Sequence, residues 1–109
     1  MSDREIIVYW RPGCGFCASL LRGLERDGLA FDRANIWDGD GSAAAFVRSV
    51  AGGNETVPTV RIGQVALVNP TAKEVLSTVA AEAPELLPED HVPPRPGPIA
   101  RAVSRLLGG

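Results

Sequence analysis

The sequence predicts an α/β domain in which helices cover a four-stranded mixed sheet. β-Branched and aromatic runs alternate along the chain with segments whose apolar residues recur every three or four positions. Glycine-rich and proline-rich turns separate these segments, and only two residues join the last two strands. The predicted order of elements is therefore β-α-β-α-β-β-α over about residues 5 to 82.

The first half of the chain predicts a strand, a helix and a second strand. Ile6–Trp10 is an apolar run typical of a strand buried on both faces. Segment 15–27 follows and is expected to end at Gly28 as a helix with one apolar face, formed by Phe16, Leu20, Leu21 and Leu24. Segment 29–36 alternates apolar and polar residues and predicts a strand, parallel to the first because a helix connects the two.

The second half predicts a helix, a hairpin and a third helix. After a turn-rich loop, a short amphipathic helix runs up to Gly52-Gly53 with an apolar face of Ala43, Phe46, Val47 and Val50. Thr59–Ile62 and Val65–Val68 predict two antiparallel strands joined by Gly63-Gln64, a pair suited to a type II′ turn. Thr71 and Glu74 form a capping box, and the buried stripe of the helix that it starts consists of Ala72, Val75, Leu76 and Val79.

The composition changes after residue 83, which divides the chain into a predicted folded domain, 1–83, and an extension, 84–109. Six of the nine prolines lie between Pro84 and Pro98, so this part is predicted to be extended. Segment 99–107 again shows a helical apolar period, but a helix so short needs a surface on which to pack. That surface could belong to its own domain or to a partner, and a free end is the remaining alternative.

Composition also limits the partners of the chain. The net charge is -2 and no run of Lys and Arg is present, which argues against binding to nucleic acid. The polar first five residues and the short apolar run after them predict neither a signal peptide nor a membrane span. We therefore expect a cytoplasmic monomer. In that compartment a close pair of cysteines is more often catalytic, redox-sensing or metal-binding than a permanent disulfide.

Both cysteines lie where the first strand passes into the first helix. Cys14 precedes the first helical turn, where backbone N–H groups and the helix dipole favour a thiolate, so it is the candidate nucleophile. Cys17 lies one turn further along and is the candidate resolving thiol. Gly15 would let a bulky disulfide approach the backbone, and Phe16 offers an apolar wall. Arg11 supplies a cation that could hold a thiolate or a substrate carboxylate.

The second half of the predicted site is the segment Thr56-Val57-Pro58-Thr59. A proline that starts a strand cannot donate to the ladder, and Pro58 is a candidate for a cis peptide bond. Such a bond would turn the backbone groups of Val57 outward, where an extended ligand could pair with them as a strand does.

The sequence resembles the glutaredoxin branch of the thioredoxin fold, and particularly the mycoredoxins of actinobacteria. The resemblance rests on a strand leading into Cys14-Gly15-Phe16-Cys17, on segment 52–60 with its Thr-Val-Pro, and on Val68-Asn69-Pro70-Thr71 before the last helix. It implies a thioredoxin-like fold over residues 5 to about 80 and reduction of mixed disulfides between proteins and a low-molecular-weight thiol, which for mycoredoxins is mycothiol.

The same resemblance implies roles for single residues. Cys14 would attack, Cys17 would resolve, Pro58 would be cis and the Val57 backbone would bind the thiol. Asn69 is a further candidate for ligand contact. The expected partners are thiolated or disulfide-bonded proteins and a low-molecular-weight thiol, mycothiol or glutathione, with no bound cofactor and no metal.

Two positions depart from the family pattern, and other interpretations of the cysteines remain. Pro12-Gly13 stands where relatives often have Thr or Trp directly before the first cysteine, and Phe16 replaces the commoner Tyr. The pair could instead form half of a zinc site completed by His91 and carboxylates, or be two inert thiols. A thioredoxin-type reductase recharged by a flavoenzyme and a redox-sensing binding module are the rival functions.

Overall fold

Four short strands form one mixed sheet in the computed structural model, which describes residues 5–88. The strands are β1 (Ile6–Trp10), β2 (Asp32–Asn35), β3 (Thr59–Ile62) and β4 (Val65–Val68). Their order across the sheet is β2-β1-β3-β4. β1 pairs parallel with β2 and antiparallel with β3, and β3 pairs antiparallel with β4. The predicted four-stranded mixed sheet is confirmed.

Three helices pack on this sheet, as predicted: α1 (Gly15–Arg26), α2 (Ser42–Val50) and α3 (Ala72–Glu82). α1 and α3 share the larger hydrophobic core with one face of the sheet, and α2 shares a smaller core with the other face. β1 serves both cores, because Ile6 and Val8 belong to the larger one and Tyr9 to the smaller. The strand that leads into the cysteine pair is thus buried on both faces, as its apolar run predicts.

Local sequence signals fix several element ends. Thr71 Oγ1 accepts from the Glu74 backbone N–H at 3.1 Å, and the Thr71 N–H donates to Glu74 Oε1 at 2.8 Å. The predicted capping box of α3 is therefore present. Gly63, the first residue of the β3–β4 turn, has a φ of 59°, which fits the predicted turn with glycine first.

β2 is shorter than predicted, because its expected first residues are used to end α1. Gly28 has a φ of 79° and its N–H donates to the Glu25 carbonyl, while the N–H of Leu29 donates to the Leu24 carbonyl. These two hydrogen bonds form a Schellman motif, with Leu24 and Leu29 both in the larger core. Leu29 is therefore part of the helix end, and the strand begins only at Asp32.

The predicted extended conformation is wrong at the start of the proline-rich extension. Pro84–Leu86 form a turn of 3₁₀ helix directly after α3. Leu86 and Leu87 are half-buried against the larger core, and a Cβ placed on Gly28 would lie 3.8 Å from Pro88. Packing on the domain thus continues past residue 83. The remainder of the extension, including the predicted helix 99–107 and His91, lies outside the described residues.

Residues 5–88 contain no helix with the length and apolar character needed to cross a membrane.

Candidate active site

The cysteine pair lies at the carboxyl end of β1, where the chain enters α1. Cys14 is the N-cap residue of α1, with an extended backbone (φ -96°, ψ 107°). Its Sγ accepts a hydrogen bond from the Cys17 backbone N–H at 3.1 Å. The two sulfur atoms are bonded to each other, and the Cα atoms are 5.2 Å apart. The structure therefore shows the oxidised form of the pair.

The two sulfurs have different access to solvent. Cys17 is 1% exposed and points into the interior, whereas Cys14 is half-buried. Cys17 completes the apolar face of α1 with Leu20, Leu21 and Leu24, at the spacing i, i+3, i+4 and i+7. The first turn of α1 carries no acidic side chain that would oppose a thiolate on Cys14. Of the two sulfur-bearing residues, Cys14 is the more accessible from outside.

The segment before β3 faces Cys14, as predicted. The Val57-Pro58 peptide bond is cis, and the Val57 carbonyl oxygen lies 3.7 Å from Cys14 Sγ. A disulfide sulfur carries no hydrogen, so this contact becomes a weak S–H···O hydrogen bond only when Cys14 is a thiol. The backbone of Val57 therefore lies next to the sulfur at which exchange would take place.

Two hydrogen bonds hold this segment in place. Thr59 is fully buried, and its hydroxyl donates to the Thr56 carbonyl at 2.8 Å. The Asn69 N–H donates to the Pro58 carbonyl, also at 2.8 Å. Asn69 has a φ of 55°, the single positive value among the non-glycine residues that the structure describes. Asn69 thus shapes the turn before α3 and ties that turn to Pro58.

Phe16 is 74% exposed and does not belong to the buried face of α1, which corrects the predicted helix stripe. The buried position at the start of the helix is taken by Cys17 instead. Phe16 lies at the mouth of a groove of about 340 Å³ between α1 and the start of α3. The groove extends along Ser19, Gly23 and Arg26 on one side and Asn69 and Thr71 on the other. Its walls include two of the predicted substrate-binding residues, Phe16 and Asn69.

Gly15 and Arg11 flank the sulfur at the helix entrance. A Cβ placed on Gly15 would meet no atom within 4 Å apart from its chain neighbours and the backbone of its own helix, so the space in front of this residue is open to a ligand. Arg11 Nη1 donates to the Pro12 carbonyl at 3.1 Å and lies 3.9 Å from a Cβ placed on Gly13. The guanidinium therefore borders the loop that leads into Cys14.

Trp37, to which the sequence assigned no role, lies on the same side as Arg11. The guanidinium carbon of Arg11 is 5.7 Å from the centre of the Trp37 ring, and Trp37 is 62% exposed. The loop after it contains Asp40, where the Ser42 backbone N–H lowers the pKa of the carboxyl by donating to it. The sequence could have indicated this position, because Trp37 directly follows a strand predicted to run parallel to β1. The carboxyl ends of parallel strands lie at the same edge of a sheet, so Trp37 and Arg11 are brought together there.

A chain of contacts connects the predicted site residues at this edge of the sheet. It runs from Arg11 through the loop to Cys14, from Cys14 to Val57, and from Pro58 to Asn69, which shares a groove with Phe16. The described part of the chain offers the cysteines no third ligand, since residues 5–88 hold no cluster of His, Cys, Asp or Glu suited to a metal ion. The buried hydroxyl of Thr59 and the exposed ring of Trp37 were not predicted.

Comparison with known proteins agrees with this geometry. The glutaredoxin sequence family matches residues 6–67. A protein of Mycobacterium tuberculosis that carries a glutaredoxin name is 41% identical over 76 residues, covering 69% of this chain and 89% of that protein. Mycoredoxin 1 of Corynebacterium glutamicum is 39% identical over 80 residues, covering 72% of this chain and 98% of the relative.

Solved structures show the same fold. The crystal structure of a glutaredoxin from Archaeoglobus fulgidus superposes with a TM-score of 0.56 at 24% identity, over 66% of this chain and 82% of that one. The solution structure of glutaredoxin from Brucella melitensis gives a TM-score of 0.53 at 26% identity, over 84% and 97%. Sequence, fold and cysteine pair lead to one conclusion: the chain belongs to the glutaredoxin family of thiol-disulfide oxidoreductases.

Proposed function

We propose that the protein reduces mixed disulfides between proteins and mycothiol, with Cys14 as the nucleophile and Cys17 as the resolving thiol. The observation that carries this proposal is the asymmetry of the pair. A half-buried Cys14 at a helix N-terminus is bonded to a Cys17 that is 1% exposed. The buried thiol of Cys17 can reach the Cys14 sulfur, but it cannot reach the disulfide of a large substrate. The proposal places the reaction in the cytoplasm, in a monomeric protein.

The first step is a thiol-disulfide exchange. The Cys14 thiolate attacks the mycothiol sulfur of the mixed disulfide, a bond forms between these two sulfurs, and the protein thiol leaves as a thiolate that takes up a proton. The protein substrate is now reduced, and mycothiol is joined to Cys14. The N–H of Cys17, which lies 3.1 Å from Cys14 Sγ, is placed to stabilise negative charge on that sulfur before the attack.

Two routes return the enzyme to its starting state. In the first, a free mycothiol attacks the mycothiol sulfur of the intermediate and releases the Cys14 thiolate together with mycothiol disulfide. In the second, Cys17 attacks the Cys14 sulfur, which releases mycothiol and forms the Cys14–Cys17 disulfide seen in the structure. Two further mycothiol molecules then reduce that disulfide. Both routes consume two electrons from mycothiol for each substrate disulfide.

The position of Val57 and the named relative support binding of the thiol next to Cys14. Val57 O is 3.7 Å from Cys14 Sγ, which leaves its backbone next to the cysteine moiety of a bound thiol. The relative named mycoredoxin 1, at 39% identity, supports mycothiol over glutathione. Glutathione carries two carboxylates that Arg11 could also bind, so the choice between the thiols requires a direct comparison.

A coupled assay tests the proposal. NADPH oxidation is followed with a mixed-disulfide substrate and three electron sources: mycothiol with its reductase, glutathione with its reductase, and thioredoxin reductase alone. We expect turnover with mycothiol to exceed turnover with either alternative by about tenfold or more. Equal or faster turnover with glutathione would overturn mycothiol as the donor. Turnover with thioredoxin reductase alone would indicate the thioredoxin-type route instead.

A further inference from the structure

Arg11 and Trp37 leave neighbouring strands at the same edge of the sheet. Trp10 of β1 pairs with Asn35 of the parallel strand β2, and the Ile36 N–H donates to the Trp10 carbonyl at 2.9 Å. Residues 11 and 37 therefore emerge side by side. Since Arg11 Nη1 lies 3.9 Å from a Cβ placed on Gly13, the guanidinium lies within about 9 Å of the Cys14 Cα atom. The guanidinium of this pair is therefore close to the residue that carries the reactive sulfur.

The backbone that carries Trp37 is held in place by Asn35, and the ring is exposed. The backbone N–H of Trp37 donates to Asn35 Oδ1 at 2.9 Å, and the backbone N–H of Asp38 donates to the Asn35 carbonyl at 3.1 Å. Arg11 stands over the ring, 5.7 Å from its centre, and forms no salt bridge with a carboxylate among residues 5–88. An indole that is 62% exposed and a guanidinium that has further N–H donors available thus form one surface.

This surface has the chemistry of a sugar-binding platform. The C–H groups of a pyranose ring pack on the face of an indole, and its hydroxyl groups accept hydrogen bonds from a guanidinium. A carboxylate would accept hydrogen bonds from Arg11 but would make no favourable contact with the ring of Trp37. In mycothiol the first sugar is attached directly to the carboxyl group of the cysteine, so only a few bonds separate the sulfur from that ring. The sugar would therefore reach the surface while the sulfur remains at Cys14.

We propose that Trp37, together with Arg11, binds the sugar portion of the low-molecular-weight thiol and so determines which thiol the enzyme uses. This inference rests on the proposed function, because it takes mycothiol as the thiol bound at Cys14. It assigns Trp37 to substrate recognition, on the opposite side of Cys14 from the groove between Phe16 and Asn69.

The test compares two substrates in three proteins. One substrate is the mixed disulfide of a reporter peptide with mycothiol, and the other is the same peptide joined to N-acetylcysteine methylamide, which lacks the sugars. The proteins are the wild type, Trp37→Ala and Trp37→Tyr, and thermal melting checks that each is folded. We expect Trp37→Ala to lower kcat/KM for the mycothiol substrate about fivefold, mainly through KM, and to change the sugar-free substrate less than about twofold. Trp37→Tyr should restore most of the loss.

Three other outcomes would contradict either the sugar contact or the proposed function. If Trp37→Ala affects both substrates equally, or neither, the sugar contact is wrong, while turnover of the mycothiol substrate by the wild type still supports the proposed function. If the wild type reduces the sugar-free substrate at least as well as the mycothiol substrate, sugar recognition is wrong as well. If the wild type fails to reduce the mycothiol substrate at all, the proposed function itself fails.

Discussion

Replacement of Cys14 by serine should lower kcat/KM for a mixed disulfide by about 1000-fold or more, because a serine hydroxyl is not ionised near neutral pH and is a weak nucleophile. Cys17 cannot take over the attack on a mixed disulfide, since it is 1% exposed. The coupled NADPH assay with mycothiol measures this loss directly.

Cys17→Ser is the matched control for that substitution. It removes the buried thiol of Cys17. The hydrogen bond to Cys14 Sγ remains, because its donor is the backbone N–H of residue 17. We expect this variant to keep at least about a tenth of the wild-type rate through the route that free mycothiol completes. A Cys14→Ser protein that remains as active as Cys17→Ser would contradict the assigned roles.

Leu24→Ala should destabilise the domain by about 3 kcal/mol, the largest stability effect that we expect from a single side chain of α1. Leu24 is fully buried in the core that α1 shares with α3 and the sheet, and the substitution removes its contacts and leaves a cavity. Small domains have only about 5 to 15 kcal/mol of unfolding free energy, so the loss is a large share. Urea unfolding of the reduced protein measures it.

Arg22→Ala is the control for Leu24→Ala, because Arg22 lies on the exposed face of the same helix. Its effect on the free energy of unfolding should stay within about 0.5 kcal/mol. If Leu24→Ala costs as little as Arg22→Ala, the packing of α1 on the sheet is not as described. The folded fraction of each variant should also set its reductase activity, since α1 carries both cysteines.

The sequence was informative wherever a local rule determines the backbone. The capping box of Thr71 and Glu74, the turn at Gly63 and the helix end at Gly28 were all predicted, because each depends on residues a few positions apart. β2 was predicted too long because the Schellman motif at Gly28 draws Leu29 into the helix end, and alternating apolarity alone does not reveal that. The 3₁₀ turn at Pro84–Leu86 depends on packing against the core, which local composition does not show.

In the candidate site, too, local motifs were predicted correctly and features that depend on long-range packing were not. The positions of Cys14 and Cys17 and the cis bond before Pro58 were expected from the motif and the family resemblance. Phe16 was assigned to a buried face because its spacing from Leu20 is helical, yet Cys17 shares the same period and is the residue that is buried. Trp37 meets Arg11 only because β2 pairs with β1, and this contact joins residues 26 positions apart.

The most direct test of the central claim is the mass of the reaction intermediate. Reduced Cys17→Ser is incubated with mycothiol disulfide, and intact-protein mass spectrometry followed by peptide mapping locates any adduct. We predict one mycothiol per chain, joined to Cys14 and removed by dithiothreitol. No adduct on Cys14, in a sample whose Cys14 is still alkylated by iodoacetamide, would contradict the account.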